Sequence, residues 1–155
     1  MGNYIVTIVP TTAEHILHIR DNLREDDRRE VEGLGLTARQ ALWRSFKRSV
    51  YTRTAIIDGE PVAAWGVAGS LLGLTGQPWL LTTEGVKKVS PLKFARIYQL
   101  ELKEMLKIYP KMSNFVLSDY CEAVRLLEIV GFKLGESLPL GKHGVLFKKF
   151  VYGED

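Results

Sequence analysis

Cysteine occurs once in the 155 residues, as Cys121. A lone thiol excludes an intramolecular disulfide and any metal site built from several cysteines, and it is consistent with a reducing compartment. Histidine is nearly as scarce. His15 and His18 lie three apart on a predicted helix and His143 far away in a predicted loop, with no third ligand in reach, so no metal is expected. Also missing is any run near the ~20 apolar residues of a membrane span. The stretch Tyr4 to Val9 is apolar but has no basic region before it and is cut by Pro10, so it reads as a first strand rather than a leader. Val6 stands where a myristoylation signal wants Ser or Thr. Neither sign of charge is in excess: 21 basic against 18 acidic residues give +3, enough to attract an anionic ligand but not to suggest nucleic acid. Repeats and low-complexity tracts are absent.

What is present is an ordinary globular composition, 46% hydrophobic and 25% charged. Residues 1–155 suffice for a single domain that buries roughly 70% of its unfolded surface. Thr11 or Thr12 caps a helix carrying Ile16, Leu17 and Ile19. The charged stretch from Arg24 to Glu32 reads as exposed, and Thr37 to Gln40 is a capping box for a helix with Leu42, Phe46 and Val50 inward. Asp58-Gly59 between Tyr51–Ile57 and Val62–Ala68 predicts a tight hairpin. Leu71 to Pro78, broken by glycine and proline, reads as a loop before a strand from Trp79 to Thr83. Ser90 as N-cap and Pro91 at the first helical position open a long helix with Phe94, Tyr98, Leu102, Met105 and Tyr109 on one face, stopped by Pro110.

Phe115 to Leu117 then forms a short strand, Ser118 or Asp119 is suited to cap the next helix, and Gly131 ends that helix so that Phe132 enters the core. With few charges, most of this helix is expected to be buried, and so is Cys121. A strand from Phe132 to Leu134, a loop from Gly135 to Gly144 and a strand from Val145 to Val151 complete the chain. The order β-α-α-β-β-β-α-β-α-β-β makes it an α/β protein with a mixed sheet and helices on both faces.

The strand, the helix with Ala123 and the Gly131-Phe132 step resemble the last block of the GCN5-related N-acetyltransferase (GNAT) superfamily. Tyr120 takes the place of that family's helix-start Asn, and Leu127 that of its frequent general-acid Tyr. Asn22-Leu-Arg24-Glu-Asp-Asp, Asp58-Gly-Glu-Pro-Val-Ala, Gln77-Pro-Trp-Leu-Leu-Thr-Thr-Glu84 and Asn114-Phe-Val resemble acetyltransferase-like proteins of tailed phages and prophages, some of them internal virion proteins. The resemblance implies acetyl-CoA as cosubstrate, bound between the fourth and fifth strands. It also implies transfer to a primary amine of a protein or small molecule in the cytoplasm. The alternative is a virion protein that keeps the fold without turnover.

Under that resemblance the pantetheine runs beside Leu81, Thr82 and Thr83. The pyrophosphate meets Lys87, Lys88, Val89, Ser90 and Lys93 at a helix N-terminus, whose free N–H groups and positive dipole end suit an anion. The family's glycine-bearing loop is absent there, and a solvated basic loop explains the same residues. Glu84 is the first candidate base and Asp119 the second, while Tyr120 could reprotonate the departing thiolate. Each has a structural explanation as well: Glu84 as an exposed carboxylate at a helix start, Asp119 as a cap, Tyr120 as packing. Arg39, Arg44, Lys47, Arg48 and Arg53 read as a solvated face or a contact for an acidic partner before a nucleic-acid platform.

Overall fold

The computed structural model describes residues 4–69, 73 and 75–153. The N-terminal half of the sheet is an antiparallel run of β1 (Thr7–Pro10), β2 (Ser49–Ile57), β3 (Glu60–Gly69) and β4 (Thr75–Thr82). Asp58 and Gly59 join β2 to β3 with φ of 52° and 78°, a turn whose twist matches that of the strands. The other half holds β5 (Lys111–Leu117), β6 (Lys133–Leu138) and β7 (Phe147–Tyr152), with β7 between its neighbours and antiparallel to both. Parallel pairing of β4 with β5 joins the halves, so that among the described residues one seven-stranded sheet runs β1-β2-β3-β4-β5-β7-β6.

Among the described residues five α-helices flank it: α1 (Ala13–Asp21), α2 (Glu25–Gly33), α3 (Ala38–Arg48), α4 (Pro91–Ile108) and α5 (Cys121–Val130). Side chains of a strand alternate between faces, and the two cores follow that alternation. Trp65 and Val67 pack with Phe94, Tyr98, Leu102 and Met105 of α4. Ala64, Trp79 and Leu81 pack on the opposite face with Ile16, Ile19 and Leu42 of α1 and α3. Thr12 and Thr37 each close a capping box, with His15 and Gln40. Ser90 accepts the Lys93 N–H, and Gly131 ends α5 at φ 109°.

Several expectations needed correction. The charged stretch after Arg24 is a helix with a buried side rather than an exposed stretch, which adds a third helix before β2. Its Glu and Arg residues are good helix formers, nothing breaks it before Gly33, and Arg24, Asp27 and Val31 are buried. β4 begins at Thr75 rather than Trp79, although residues 71, 72 and 74 of the expected loop lie outside the described ones. Gly76 fits the strand because the Tyr109 ring covers it: a Cβ there would stand 2.7 Å from Tyr109 Cγ. In α5 only Leu127 and Val130 are buried, and Ile129 is 46% exposed. The helix lies on one side against α4 and the sheet, so a single stripe suffices. Cys121, at its open start, is exposed. Neither Ser118 nor Asp119 caps it; Tyr120 is the N-cap residue without a side-chain bond. Val50 belongs to β2, not α3, and is exposed. β6 extends to Leu138, and the last strand starts at Phe147.

Candidate functional site

β4 and β5 pair at two positions, Thr75 with Lys111 and Gly76 with Met112, and then part. The residues themselves cause the parting. The Thr83 N–H bonds to Val62 O, so Thr83, Leu81 and Trp79 turn their main-chain groups toward β3, and Thr82, Leu80 and Pro78 turn theirs toward β5. Pro78 therefore falls where the parallel ladder next needs an N–H from β4, and proline has none. On β5 the Ser118 N–H bonds to Leu146 O, so by the same alternation Leu117 and Phe115 face β4. The Asn114 side chain enters between the edges. Its Nδ2 donates to Pro78 O at 2.9 Å and its Oδ1 accepts from the Phe115 N–H at 2.8 Å. One side-chain amide thus stands in for a strand-to-strand bond and spaces the strands apart.

Farther along, α2 meets both edges. Asp27 Oδ2 accepts from the Thr82 N–H at 2.7 Å and from the Thr82 hydroxyl. The Arg24 N–H donates to Thr82 O at 3.0 Å. Glu30 Oε2 accepts from the Leu117 N–H at 3.0 Å. The Arg24 guanidinium bonds Glu122 at 3.1 Å, lies 3.8 Å from Glu84, and sits 5.8 Å from the centre of the buried Tyr120 ring. The Asp27 charge and the Tyr120 phenol act on one another. Outside the cluster, Arg29 Nη2 donates to both Asp119 oxygens at 2.9 Å. Two buried polar atoms near the gap, Arg24 Nε and Ser118 Oγ, have no hydrogen-bond partner among the described residues.

The surroundings shift these groups. Glu30 keeps part of its surface, yet desolvation of its carboxyl pushes it up to about 8 against the opposing Leu117 N–H. Burial raises Asp27 too, opposed by its bonds from Thr82 and by the Arg24 charge. Tyr120 is raised by burial and then by the Asp27 charge, so it stays a protonated phenol. Glu84 goes the other way: its bond to Lys87, at 2.7 Å, holds it below the ordinary carboxylate range.

Of the residues singled out from the sequence, Thr82 and Tyr120 belong to the cluster directly, Glu84 touches it through Arg24, and Asp119 lies outside it, bound to Arg29. Leu81 is a core residue with its main chain turned to β3. The Thr83 hydroxyl accepts the Gly85 N–H, capping a 3-10 turn, Glu84–Lys88. The basic residues of that region have local partners. Lys87 holds Glu84, Lys88 lies 3.5 Å from Asp58, and Lys93 donates to Tyr4 O at 3.1 Å. Val89 is buried, and the Ser90 hydroxyl serves its helix. Arg24, Asp27 and Glu30 are the residues that sequence reasoning missed. Their signal was the spacing of Arg24, Asp27 and Val31, three and four apart on one helix face. His15 caps its own helix, and His143 sits exposed at φ 54°. Among the described residues no cluster of His, Cys, Asp and Glu could hold a metal, and no helix is long and apolar enough to cross a membrane.

No protein-family model matches this chain, and no curated protein matches it in sequence. Solved structures do match in fold. An acetyltransferase from Agrobacterium tumefaciens superposes with a TM-score of 0.66 at 14% identity, over 99% of this chain and 96% of that one. A Salmonella typhimurium protein solved with its cofactor acetyl-CoA gives 0.66 at 12%, over 97% and 94%. A ribosomal-protein α-N-acetyltransferase in complex with coenzyme A gives 0.71 at 5%, over 95% and 93%. The chain therefore has the acyl-CoA N-acyltransferase fold of the GNAT proteins, with one more helix before β2 than its sequence suggested.

Proposed function

We propose that this chain is an acetyl-CoA-dependent N-acetyltransferase, acting in the cytoplasm on a primary amine of a protein or small molecule. The observation that carries this reading is the parting of β4 from β5 by Pro78 and Asn114, which turns the main-chain N–H and C=O of Leu80 into a gap at mid-sheet. Pantetheine is an amide-bearing chain, and such edges suit it. The Arg24 Nε–H and the Ser118 hydroxyl, neither of them hydrogen-bonded among the described residues, add polar groups beside the gap. The fit is poorer at the pyrophosphate end. No glycine lies between Val86 and α4, and Lys87, Lys88 and Lys93 would have to exchange Glu84, Asp58 and Tyr4 O for phosphate oxygens. Two of the fold neighbours carry acetyl-CoA or CoA, and one acts on a ribosomal protein, which supports the cosubstrate and the amine acceptor in kind.

When bound, acetyl-CoA supplies a thioester whose C–S bond breaks as the amine nitrogen bonds to the acetyl carbon. Glu30 is a better base than Glu84 for the proton that the amine loses, because it lies at the gap and its raised pKa is near working pH. Glu84 is exposed and weakened as a base by Lys87, and Asp119 is tied to Arg29. Tyr120, held protonated, would be the proton source for the departing sulfur. Acetyl-CoA added to the native protein should raise its melting temperature with ligand concentration, and no rise at millimolar acetyl-CoA would refute the reading. Glu30→Gln should keep that rise and slow transfer by about a hundredfold or more, with turnover rising toward pH 8 in the wild type only.

A second reading is favoured by one observation: the Thr82 and Leu117 amides already bond Asp27 and Glu30. A fold kept without turnover, as in a structural protein of a phage particle with virion partners, would show such filling and no thermal response to acetyl-CoA.

A further inference from the structure

The helix α2 is seated differently from its neighbours. Ile16 and Ile19 anchor α1, and Ala38, Ala41 and Leu42 anchor α3, in an apolar core. In α2 the buried residues are Asp27 and Val31 alone. Its seat is made largely of hydrogen bonds to the parted strands, Asp27 to Thr82 and Glu30 to Leu117, and of the outer clasp between Arg29 and Asp119. An amide N–H has one hydrogen to donate. While Asp27 and Glu30 hold these two, no ligand carbonyl can accept from them.

We propose that α2 is the resident occupant of the β4–β5 gap. The carboxyl groups of Asp27 and Glu30 compete with the amide carbonyls of an incoming thioester carrier for the Thr82 and Leu117 N–H groups. Arg29 is the positioning residue that latches α2 in place through Asp119. The carrier's full grip on the gap then requires Asp27 and Glu30 to release the two amides, which frees the Glu30 carboxyl within the gap, and the strength of the Arg29 latch sets how readily they do. The inference rests on the acetyl-CoA reading for its ligand but not for its mechanics.

The test uses the full chain as wild type, Arg29→Ala and Arg29→Lys. Amide hydrogen exchange without ligand reads the latch. In Arg29→Ala the Thr82 and Leu117 amides should exchange faster together, by about two- to fivefold for the loss of an exposed ion pair. The Thr83 amide, bonded to Val62, should be unaffected, and Arg29→Lys should fall between. If the two amides do not respond, or if Thr83 accelerates by the same factor, α2 is not a separable strap and the proposal falls. Titration with acetyl-CoA reads the competition: the dissociation constant should drop in Arg29→Ala by about the factor seen in exchange. An unchanged or weaker affinity overturns the competition, since a merely structural ion pair would lower stability without tightening binding. If no variant and no wild type binds acetyl-CoA, the acetyl-CoA reading fails, and the exchange result alone then decides whether α2 is latched as described.

Discussion

The two charged stretches of this chain meet opposite fates. Residues 84–93, just before and into α4, keep their charges at the surface. Lys87 pairs with Glu84 three residues away, and Lys88 and Lys93 reach Asp58 and Tyr4. Residues 24–30 are denser in charge, yet Arg24 and Asp27 are buried and Glu30 lies against a sheet edge. Charge density therefore does not decide burial. What decides it is whether main-chain groups lacking a partner are waiting. Around β4 and β5 the failed ladder leaves N–H groups that must be satisfied, and the carboxylates of α2 satisfy them. In front of α4 the Ser90 hydroxyl already bonds the Lys93 N–H, and the cations stay outside.

The largest effect that separates the two regions should come from Asp27→Ala. It removes the acceptor for both the Thr82 N–H and the Thr82 hydroxyl, and leaves buried donors unpaired. A cost of about 2–3 kcal/mol is expected, read as a drop in the urea midpoint at unchanged slope. A loss below about 0.5 kcal/mol would mean that water replaces the carboxylate and that α2 is no more than a solvated helix.

Much of the fold was legible because local chemistry and tertiary packing agree there. Thr37 and Gln40, Asp58-Gly59, Ser90-Pro91 and Gly131 do in the structure what their residue types predict. The failures lie where tertiary context overrides local preference. Gly76 and Pro78 looked like loop residues. In the structure one accommodates the Tyr109 ring and the other sits at the end of the parallel ladder, so both are strand residues by position. The helix α2 was invisible as a core-facing element because its inward side is mostly polar, and hydrophobic periodicity cannot report a helix that docks through hydrogen bonds. Asp119 looked like a cap, and only the fold brings Arg29 to it across 90 positions of sequence. Tyr120 stood out for its place in a motif, but the Arg24 guanidinium 5.8 Å from its ring centre could not be read without coordinates.

A smaller effect, dependent on pH, should sharpen the contrast within α2 itself. The Glu30 pKa is raised to about 8 by burial, above the value of an unfolded glutamate. Between the unfolded value and about 8 the folded protein holds a proton that the unfolded chain has released, so stability falls as pH rises through that window. Glu30→Gln still accepts the Leu117 N–H and removes the titration. Its melting temperature should exceed that of the wild type by at least about 2 °C above pH 8, a shift of the size expected for a kcal/mol or less in a chain of this length. The difference should vanish near pH 4. A constant difference across that range would show that Glu30 titrates normally.

The smallest effect belongs to the other stretch. Lys87→Ala removes a partner of Glu84 in an ion pair whose side chains are 57% and 63% exposed, and exposed pairs contribute little because water and salt screen them. The stability change at pH 7 should stay within about 0.5 kcal/mol. The sign of its pH dependence is opposite to that of Glu30. A depressed carboxylate pKa contributes stability above the unfolded value and loses it as pH falls through the folded one, so wild type and variant should converge in acid. The carboxyl carbon of Glu84, followed by NMR, should titrate at higher pH in the variant. If Lys87→Ala instead cost as much as Asp27→Ala, the loop before α4 would be a structural clasp like α2, and its lysines would not be free to turn toward a phosphate.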